Sequence, residues 1–506
     1  MPELKVRRLS SLRRPQRPVK LPPLPGPSGS PRLGKLTTWQ LTACAATVGL
    51  AISAVAVTAA GPWDSGQRTA ERALSNAADR DGGADHGNGA APNAAPSAPG
   101  VLIGLSAPSG GAPAPTGRAL ADVLDPLLKD PSLGTRRTAS VVDAATGKEI
   151  YGAKAGDAVT PASTIKIATA AAALSALGPD HRIPTRTVLE KDRVTLVGGG
   201  DPTLTARKGS LGNASLHTLA DATAHALRTK NLDKIKLSYD TSAYSGPDRH
   251  PIGPNNNIAP VSPLMADEGR LDDSTSGPAP RTAEPARDAA RTFAALLRDR
   301  DIEVDGEPDD RKAGKGAKEL GTVRSAPLAA LVERMLTHSD NDIAEHLARQ
   351  TALAAGEPAS FDGAAKAVKS ELKKLGLPLG KAKFADGSGL SREDRVSAEL
   401  LTALLARAAD PDHPELRPVL TGLPVAGFTG TLRNRYAAGQ ASAAGTGLVR
   451  AKTGTLTGVN TLAGAVVDAD GRLLVFAFTA SGTGDARAAQ STLDRLAAAV
   501  ANCGCR

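Results

Sequence analysis

The alanine-rich run between Pro161 and Gly178 constrains the fold most, because it favours an α-helix along its whole length. Pro161 suits the first turn of a helix, so Ser163 is expected at or near the helix N-terminus. Lys166 follows three residues later, which places its amine on the same face as the Ser163 hydroxyl. A helix start disfavours a cation, and burial or a second lysine would lower the lysine pKa further. The pair therefore suits a serine nucleophile activated by a lysine.

The same Ser-x-x-Lys spacing also occurs at Ser370 and Lys373, in a charged stretch typical of an exposed helix. The pattern arises by chance about once or twice in a chain of this length and average composition. Taken alone, Ser163 and Lys166 are therefore better explained by a capped surface helix with a solvated lysine. Their interpretation as a catalytic pair depends on motifs further along the chain.

A second polar motif is Ser339-Asp340-Asn341. An asparagine amide can hold a substrate backbone, and a serine hydroxyl can relay a proton to a leaving amine. A polar turn that caps the following helix would explain the same residues without any chemistry.

A third motif, Lys452-Thr453-Gly454-Thr455, precedes two strand-like runs at 461–467 and 473–478. This order predicts that the motif lies on a strand leading into a hairpin. A cation and hydroxyls there suit a substrate carboxylate, and Gly454 lets a peptide approach closely. The alternative is an ordinary edge strand that carries a protective lysine.

Taken in order, the three motifs are similar to the set shared by penicillin-binding proteins and serine β-lactamases. From about residue 118 to about residue 500 the chain resembles the D-alanyl-D-alanine carboxypeptidase/endopeptidase family of low-molecular-mass penicillin-binding proteins. Four further segments carry this likeness: 198–204, 259–265, 386–392 and 430–435. The resemblance implies an α+β fold, in which helices flank an antiparallel sheet and a smaller domain is inserted.

The resemblance also implies a role for the polar residues of the first two motifs. Ser163 would be the acylated nucleophile, and Lys166 would be its general base. Ser339 and Asn341 would position the substrate and pass the proton to the leaving D-alanine.

In the third motif, the resemblance implies that Lys452 and Thr453 contact the terminal carboxylate of that D-alanine. The oxyanion hole would be formed by the backbone N–H groups of Ser163 and Thr455. Segment 386–392 matches the family as well, but we assign it no chemistry at this point, because its glycines are explained by a turn.

The interval between the first two motifs, from Ser163 to Ser339, is longer than one helical subdomain needs. Because domains typically hold about 100–150 residues, an additional domain fits there. The interval contains strand-like runs and two helical stretches, 216–228 and 286–298. We therefore expect an inserted domain at 183–323, between the two parts of a DD-peptidase domain at 118–182 and 324–506. All three motifs lie outside the insertion, so it is expected to shape access for wall peptides without supplying acylating groups.

The net charge of +9 belongs to one end of the chain. Residues 1–36 hold nine Lys/Arg and one acidic residue, and the rest is nearly neutral. Nucleic-acid binding has no support beyond this basic tail, which is expected to be cytoplasmic.

Leu41 to Ala60 is a run of twenty residues without a charge, long enough to span a bilayer. We expect a transmembrane anchor at 37–60 and a disordered Ala/Gly/Pro linker at 61–117. The enzyme would then be a single-pass protein of the cell membrane, with its catalytic domain outside the cytoplasm. The alternative is a signal peptide cleaved after 54–56, which would release a secreted protein.

Cysteine and histidine usage gives no metal-binding pattern. The three cysteines are Cys44, Cys503 and Cys505, and the histidines form no HExxH motif. No cofactor or metal is expected. Cys503 and Cys505 would either close a small ring or stay reduced.

The function predicted is a serine-type D-Ala-D-Ala carboxypeptidase/endopeptidase. Its partners would be peptidoglycan stem peptides, β-lactams as covalent inhibitors, and the membrane through one helix. A β-lactamase is one alternative, although the chain has no Glu-x-x-x-Asn run between Asn341 and Lys452 that would supply a deacylating base. A penicillin-binding sensor or wall-binding module without turnover is the other.

Overall fold

The computed structural model describes residues 114–209 and 212–504. The predicted tail, the predicted anchor and nearly all of the predicted linker, at 1–36, 37–60 and 61–117, lie outside these residues. Within the described residues, no helix combines the length and apolarity needed to cross a membrane.

Ten helices and ten strands form the framework of the described chain. The helices are α1 Gly117–Leu128, α2 Lys166–Leu177, α3 Leu216–Arg228, α4 Pro285–Arg298, α5 Leu328–His338, α6 Asn341–Ala354, α7 Phe361–Lys374, α8 Ala398–Ala409, α9 Pro418–Thr421 and α10 Ala486–Ala501. The strands are β1 Arg136–Asp143, β2 Glu149–Ala153, β3 Pro184–Glu190, β4 Arg193–Val197, β5 Lys234–Asp240, β6 Glu303–Asp310, β7 Lys318–Arg324, β8 Arg450–Leu456, β9 Val459–Val467 and β10 Leu473–Ser481.

The first sheet is antiparallel, with strand order β2-β1-β10-β9-β8. Its central strands are apolar on both faces, because neighbouring residues of β10 enter different cores. Val475 and Ala477 pack against the layer that contains α2 and α8, whereas Phe476 and Phe478 pack with α1 and α10. The α+β architecture with an antiparallel sheet between helices is therefore confirmed.

The predicted hairpins are present in this sheet. β1 pairs with β2, and the Lys-Thr-Gly strand β8 pairs with β9, which returns as β10. β8 is the last strand in the sheet order, so one of its edges faces away from the sheet. Beyond α10, Cys503 is disulfide-bonded, and its partner lies outside the described residues.

A second sheet has the order β6-β5-β4-β3-β7. β4, β5 and β6 are parallel, whereas β3 pairs antiparallel with both β4 and β7. Leu196, Leu219, Leu237 and Phe293 belong to the separate apolar core beneath it. This sheet is formed by the segment that we expect to be inserted. Helices α3 and α4 of the segment match the two helices predicted there. Its assignment as a separate domain stays a prediction.

The nucleophile segment differs from the expected simple helix start. Ser163 lies in a 3-10 turn, Ala162–Ile165, and the α-helix begins only at Lys166. The preceding Ala162 has a φ of 48°, in the left-handed region, which turns the chain before the helix. Every residue of α2 from Lys166 to Leu174 is buried, and its small alanines allow α6 and α7 to pack closely against it.

Candidate active site

Ser163 and Lys166 meet as their spacing predicts. The Nζ atom of Lys166 lies 3.0 Å from the Ser163 Oγ. Ser163 is half-buried, whereas Lys166 has no exposed surface. A partly exposed serine therefore lies beside an amine that is shielded from solvent.

Two more oxygens surround the Lys166 amine. Its Nζ lies 2.7 Å from Asn341 Oδ1 and 2.5 Å from the Ser388 carbonyl oxygen. A neutral amine has two N–H donors and one lone pair. If the donors bond Asn341 and Ser388, the lone pair is left to accept the Ser163 proton. This geometry suits a general base.

The electrostatic surroundings favour that neutral amine. Burial lowers the pKa of Lys166 to about 8, and the carboxylates of Asp386, Glu345, Asp340 and Asp394 oppose the fall. A pKa near 8 leaves an appreciable neutral fraction near neutral pH, which an ordinary lysine does not have.

The second motif bridges the end of α5 and the start of α6. Ser339 has a φ of 58°, in the left-handed region, and ends α5. Asp340 then caps α6 by accepting the backbone N–H of Ile343 at 3.0 Å. Asp340 is therefore the residue that caps the helix. On either side of it, Asn341 contacts Lys166 and Ser339 contacts Lys452.

The third motif presents a buried lysine to the same place. Lys452 is fully buried, and its Nζ donates to Ser339 Oγ at 2.8 Å and to the Thr453 carbonyl at 2.7 Å. Burial, reinforced by the nearby Lys166 charge, holds the pKa of Lys452 well below its usual value. An anionic ligand would offset both effects, which is the property expected of a carboxylate site.

The remaining residues of the motif shape the edge of β8. A side chain at Gly454 would come within 2.8 Å of the Pro161 carbonyl oxygen and 3.1 Å of the Ser163 backbone nitrogen. Glycine is thus needed for the strand to lie against the nucleophile turn. Thr455 is exposed beyond it, and the Thr453 hydroxyl donates to Thr431 Oγ1 at 2.8 Å.

The structure brings all of the predicted site residues together. Lys166 joins Ser163 to Asn341, Lys452 joins the third motif to Ser339, and Gly454 packs against the nucleophile turn. Within it, Ser163 is half-buried and Thr455 is exposed.

The contribution of segment 386–392 was missed. It supplies the Ser388 carbonyl to Lys166, and its glycines do more than form a turn. A Cβ at Gly389 would collide with the Ala162 carbonyl, and one at Gly387 would lie 2.7 Å from Ala348 Cβ. The sequence signal for this role was the pair Gly387 and Gly389 on either side of Ser388, in a segment that resembles the family.

The expected insertion also reaches the site. Asn341 Nδ2 donates to the Asn257 carbonyl at 3.0 Å. Next to it, Asp342 accepts the Ala259 backbone N–H at 2.9 Å and pairs with Arg281 at 2.9 Å. The backbone of this segment therefore contacts Asn341, which in turn contacts Lys166. That the segment shapes access for wall peptides without supplying acylating groups stays a prediction.

Buried residues of the types that bind metals form two groups near these contacts, and within each group the ligand-type atoms lie within 4.8 Å of one another. The first group is His250, Glu345 and Asp386, and the second is Glu268, Asp340 and Asp342. In the first group, His250 Nε2 lies 2.9 Å from Asp386 Oδ2, and Glu345 accepts backbone N–H groups. In the second, Arg270, Arg281 and Arg334 pair with the carboxylates. The protein's own groups satisfy these acids, so we assign neither group to a metal.

Comparison with protein families shows which family the chain belongs to. The D-Ala-D-Ala carboxypeptidase 3 (S13) family matches residues 120–280 and 272–500. The chain belongs to this family. The resemblance inferred from the three motifs is thereby confirmed, and with it the class of enzyme, a serine-type D-Ala-D-Ala carboxypeptidase.

Individual S13 relatives match over most of the chain. Carboxypeptidase DacB of Mycolicibacterium smegmatis is 38% identical over 429 residues, covering 82% of this chain and 90% of the relative. The D-alanyl-D-alanine carboxypeptidase of Actinomadura sp. is 29% identical over 468 residues, covering 75% and 84%. The crystal structure of penicillin binding protein 4 from Haemophilus influenzae superposes with a TM-score of 0.61 at 24% identity, covering 74% of this chain and 97% of that one. The fold is therefore that of a penicillin-binding protein.

Proposed function

We propose that this S13-family enzyme cleaves the D-Ala-D-Ala bond of peptidoglycan stem peptides through an acyl-enzyme on Ser163. The observation that carries the proposal is the surroundings of the Lys166 amine. When the neutral amine donates its two N–H groups to Asn341 and Ser388, its lone pair can accept the proton of the Ser163 hydroxyl.

In the first half-reaction, the Ser163 O–H bond breaks and its proton moves to Lys166 Nζ. The freed Oγ bonds to the carbonyl carbon of the penultimate D-alanine, and the carbonyl oxygen takes up negative charge. By the family resemblance, the backbone N–H groups of Ser163 and Thr455 stabilise that charge. The C–N bond then breaks, and the leaving D-alanine amine receives the proton from Lys166, with Ser339 as the relay.

In the second half-reaction, water attacks the ester on Ser163. One proton returns to the serine oxygen, and the shortened stem peptide leaves as a carboxylic acid. Endopeptidase action on a cross-link would use the same acyl half, with an amine of another stem peptide as the leaving group.

The carboxylate of the terminal D-alanine is placed by the third motif in this proposal. Lys452 is buried beside Ser339, and Thr453 lies next to it with its hydroxyl at hydrogen-bond distance from Thr431. A substrate carboxylate here would restore the charged form of Lys452 and set the scissile bond over Ser163.

β-Lactams are proposed as covalent inhibitors, because they present a strained amide to the same nucleophile. A structure of Haemophilus influenzae penicillin binding protein 4 complexed with a β-lactam is 25% identical to this chain, with a TM-score of 0.57. That likeness supports the proposal for this chain.

Two measurements on the full chain test the proposal. Release of D-alanine from a stem pentapeptide, with a benzylpenicillin adduct mapped to Ser163, is the expected result. An adduct without D-alanine release would favour the non-turnover sensor, and rapid repeated hydrolysis of penicillin would favour a β-lactamase. An adduct on any other serine would overturn the assignment of the nucleophile.

The proposal extends to the place of action. The basic tail at 1–36 and the uncharged run from Leu41 to Ala60 support a single-pass anchor with the catalytic part outside the cytoplasm. Membrane fractionation tests it: the intact chain is expected with the membranes. Recovery of a soluble mature form that begins near Ala60 would instead establish a cleaved signal peptide.

A further inference from the structure

The loop that carries the Ser388 carbonyl is held by an unusual set of acceptors. The side chains of three buried acidic residues accept six of its backbone N–H groups. Asp394 accepts those of Ala385 and Asp386, Glu345 accepts those of Gly387 and Ser388, and Asp386 accepts those of Gly389 and Ser391. Burial and the neighbouring Asp386 carboxylate raise the pKa of Asp394 to about 9. The loop is thus fixed by acids rather than by a sheet or a helix.

Glu345 differs from the other two acids because it comes from another element. It lies on α6 with 1% of its surface exposed, and its Oε1 accepts Gly387 N–H at 3.0 Å and Ser388 N–H at 2.8 Å. Asn341 precedes it by four residues, so the two lie on one face of the helix. One rigid helix therefore holds both neighbours of Lys166, Asn341 Oδ1 directly and the Ser388 carbonyl through Glu345.

We propose that Glu345 is a positioning residue for acylation, because its carboxylate fixes the backbone N–H groups of Gly387 and Ser388 and so the place of the residue whose carbonyl contacts Lys166 Nζ. The N–H that shares a peptide plane with this carbonyl, on Gly389, is held by Asp386. The inference rests on the proposed function, in which Lys166 accepts the Ser163 proton. The Ser388 carbonyl lies 2.5 Å from Nζ and 3.5 Å from Ser163 Oγ. If the carbonyl turned away, the amine would lose the acceptor that keeps its lone pair directed at Ser163.

The charge of Glu345 gives the proposal a second, separable consequence. The titratable groups that face Lys166 are Glu345 on α6, Asp340 at its cap, Asp386 and Asp394 from the loop, and Lys452 from β8. Glu345 itself faces Asp386, His250 and Arg349. Burial and the neighbouring Asp386 carboxylate raise the pKa of Glu345. In its ionised form Glu345 raises the Lys166 pKa, so a neutral residue in its place lowers that pKa and the neutral amine persists to lower pH.

Two substitutions of Glu345 separate its roles. Glu345→Ala removes the acceptor and leaves two buried N–H groups unpaired, so the plateau rate of acylation by benzylpenicillin should fall about 10- to 100-fold. Glu345→Gln keeps an oxygen acceptor and should restore most of that rate. In both variants the pH of half-maximal acylation should move to lower values.

Glu371→Gln and Glu371→Ala are the matched controls. Glu371 is a buried glutamate on the neighbouring helix α7, and its carboxylate pairs with Lys374 at 2.6 Å. Both variants should be acylated at the wild-type rate, with the wild-type pH profile.

The proposal is overturned if Glu345→Ala keeps the wild-type rate of acylation. It is also overturned if both Glu345 variants slow acylation without moving the pH profile, because a loss of packing alone would give that result. If circular dichroism shows that Glu345→Ala does not fold, Thr169→Val takes its place, because the Thr169 hydroxyl donates to the Gly387 carbonyl at 2.7 Å. A wild-type rate in Thr169→Val, with an unmoved pH profile in Glu345→Gln, then contradicts the proposal. Absence of an adduct on Ser163 in the wild type would contradict the proposed function instead.

Discussion

Ser163 and Ser370 begin the same four-residue pattern in opposite environments. Ser163 lies in a 3-10 turn, and Lys166 is fully buried among oxygen acceptors. Ser370 and Lys373 both lie exposed on the surface of α7. Spacing brings a serine and a lysine to one helix face in either place. Only burial, together with fixed acceptors, turns the lysine into a base.

The largest expected difference concerns the nucleophile itself. Ser163→Ala should abolish covalent labelling by benzylpenicillin, because no oxygen remains above Lys166 to form the ester. Ser370→Ala should be labelled at the wild-type rate. Intact-mass analysis of both variants after exposure to penicillin measures this, and labelling of folded Ser163→Ala would break the comparison.

The lysines should differ next. Lys166→Ala removes the proposed general base; such a base contributes roughly 10²–10⁴-fold and acts as a unit with the nucleophile. Lys373→Ala changes only a solvated charge and should leave the acylation rate intact. Rates from a fluorescent penicillin, with circular dichroism as the folding control, measure both; equal rates for wild type and Lys166→Ala would show that another group takes the proton.

The pH dependence sharpens the same contrast. Because burial lowers the Lys166 pKa to about 8, the amine is protonated below that pH and neutral above it. Acylation requires the neutral form, so its rate should rise about tenfold per pH unit below about 8 and level off above it. Lys373→Ala should show the same profile. A wild-type rate that does not change with pH over this range would contradict the assignment of Lys166 as the base.

Much of this site follows from local sequence. The helix after Ser163, the capped turn around Asp340, and the Lys-Thr-Gly strand each have a signature in propensity, capping or alternation. The order of the three motifs then identified the family. These features depend on residues close together in the chain, so residue type is enough to predict them.

Other parts of the site depend on backbone atoms brought together from distant segments. The Ser388 and Asn257 carbonyls contact Lys166 and Asn341, but any residue type carries a carbonyl. The left-handed φ of Ala162 also cannot be predicted from the sequence, because alanine rarely adopts it and only the packed turn enforces it. For the segment that forms the second sheet, the sequence predicts strands and helices. It does not predict the order in which those strands pair, because that order depends on contacts between distant parts of the chain.

The smallest predicted effect concerns stability at the exposed motif. Ser370 lies within α7 and is exposed, so its contribution there is set mainly by helix propensity. Alanine is better than serine in a helix interior, and Ser370→Ala should raise the free energy of unfolding by about 0.5 kcal/mol. Ser163→Ala should gain nothing by this route, because Ser163 precedes the α-helix in the 3-10 turn. Urea unfolding of the two variants, followed by circular dichroism, measures the difference. A stabilisation at Ser163 equal to that at Ser370 would mean that the nucleophile turn behaves as ordinary helix, and that the contrast between the two motifs is one of burial alone.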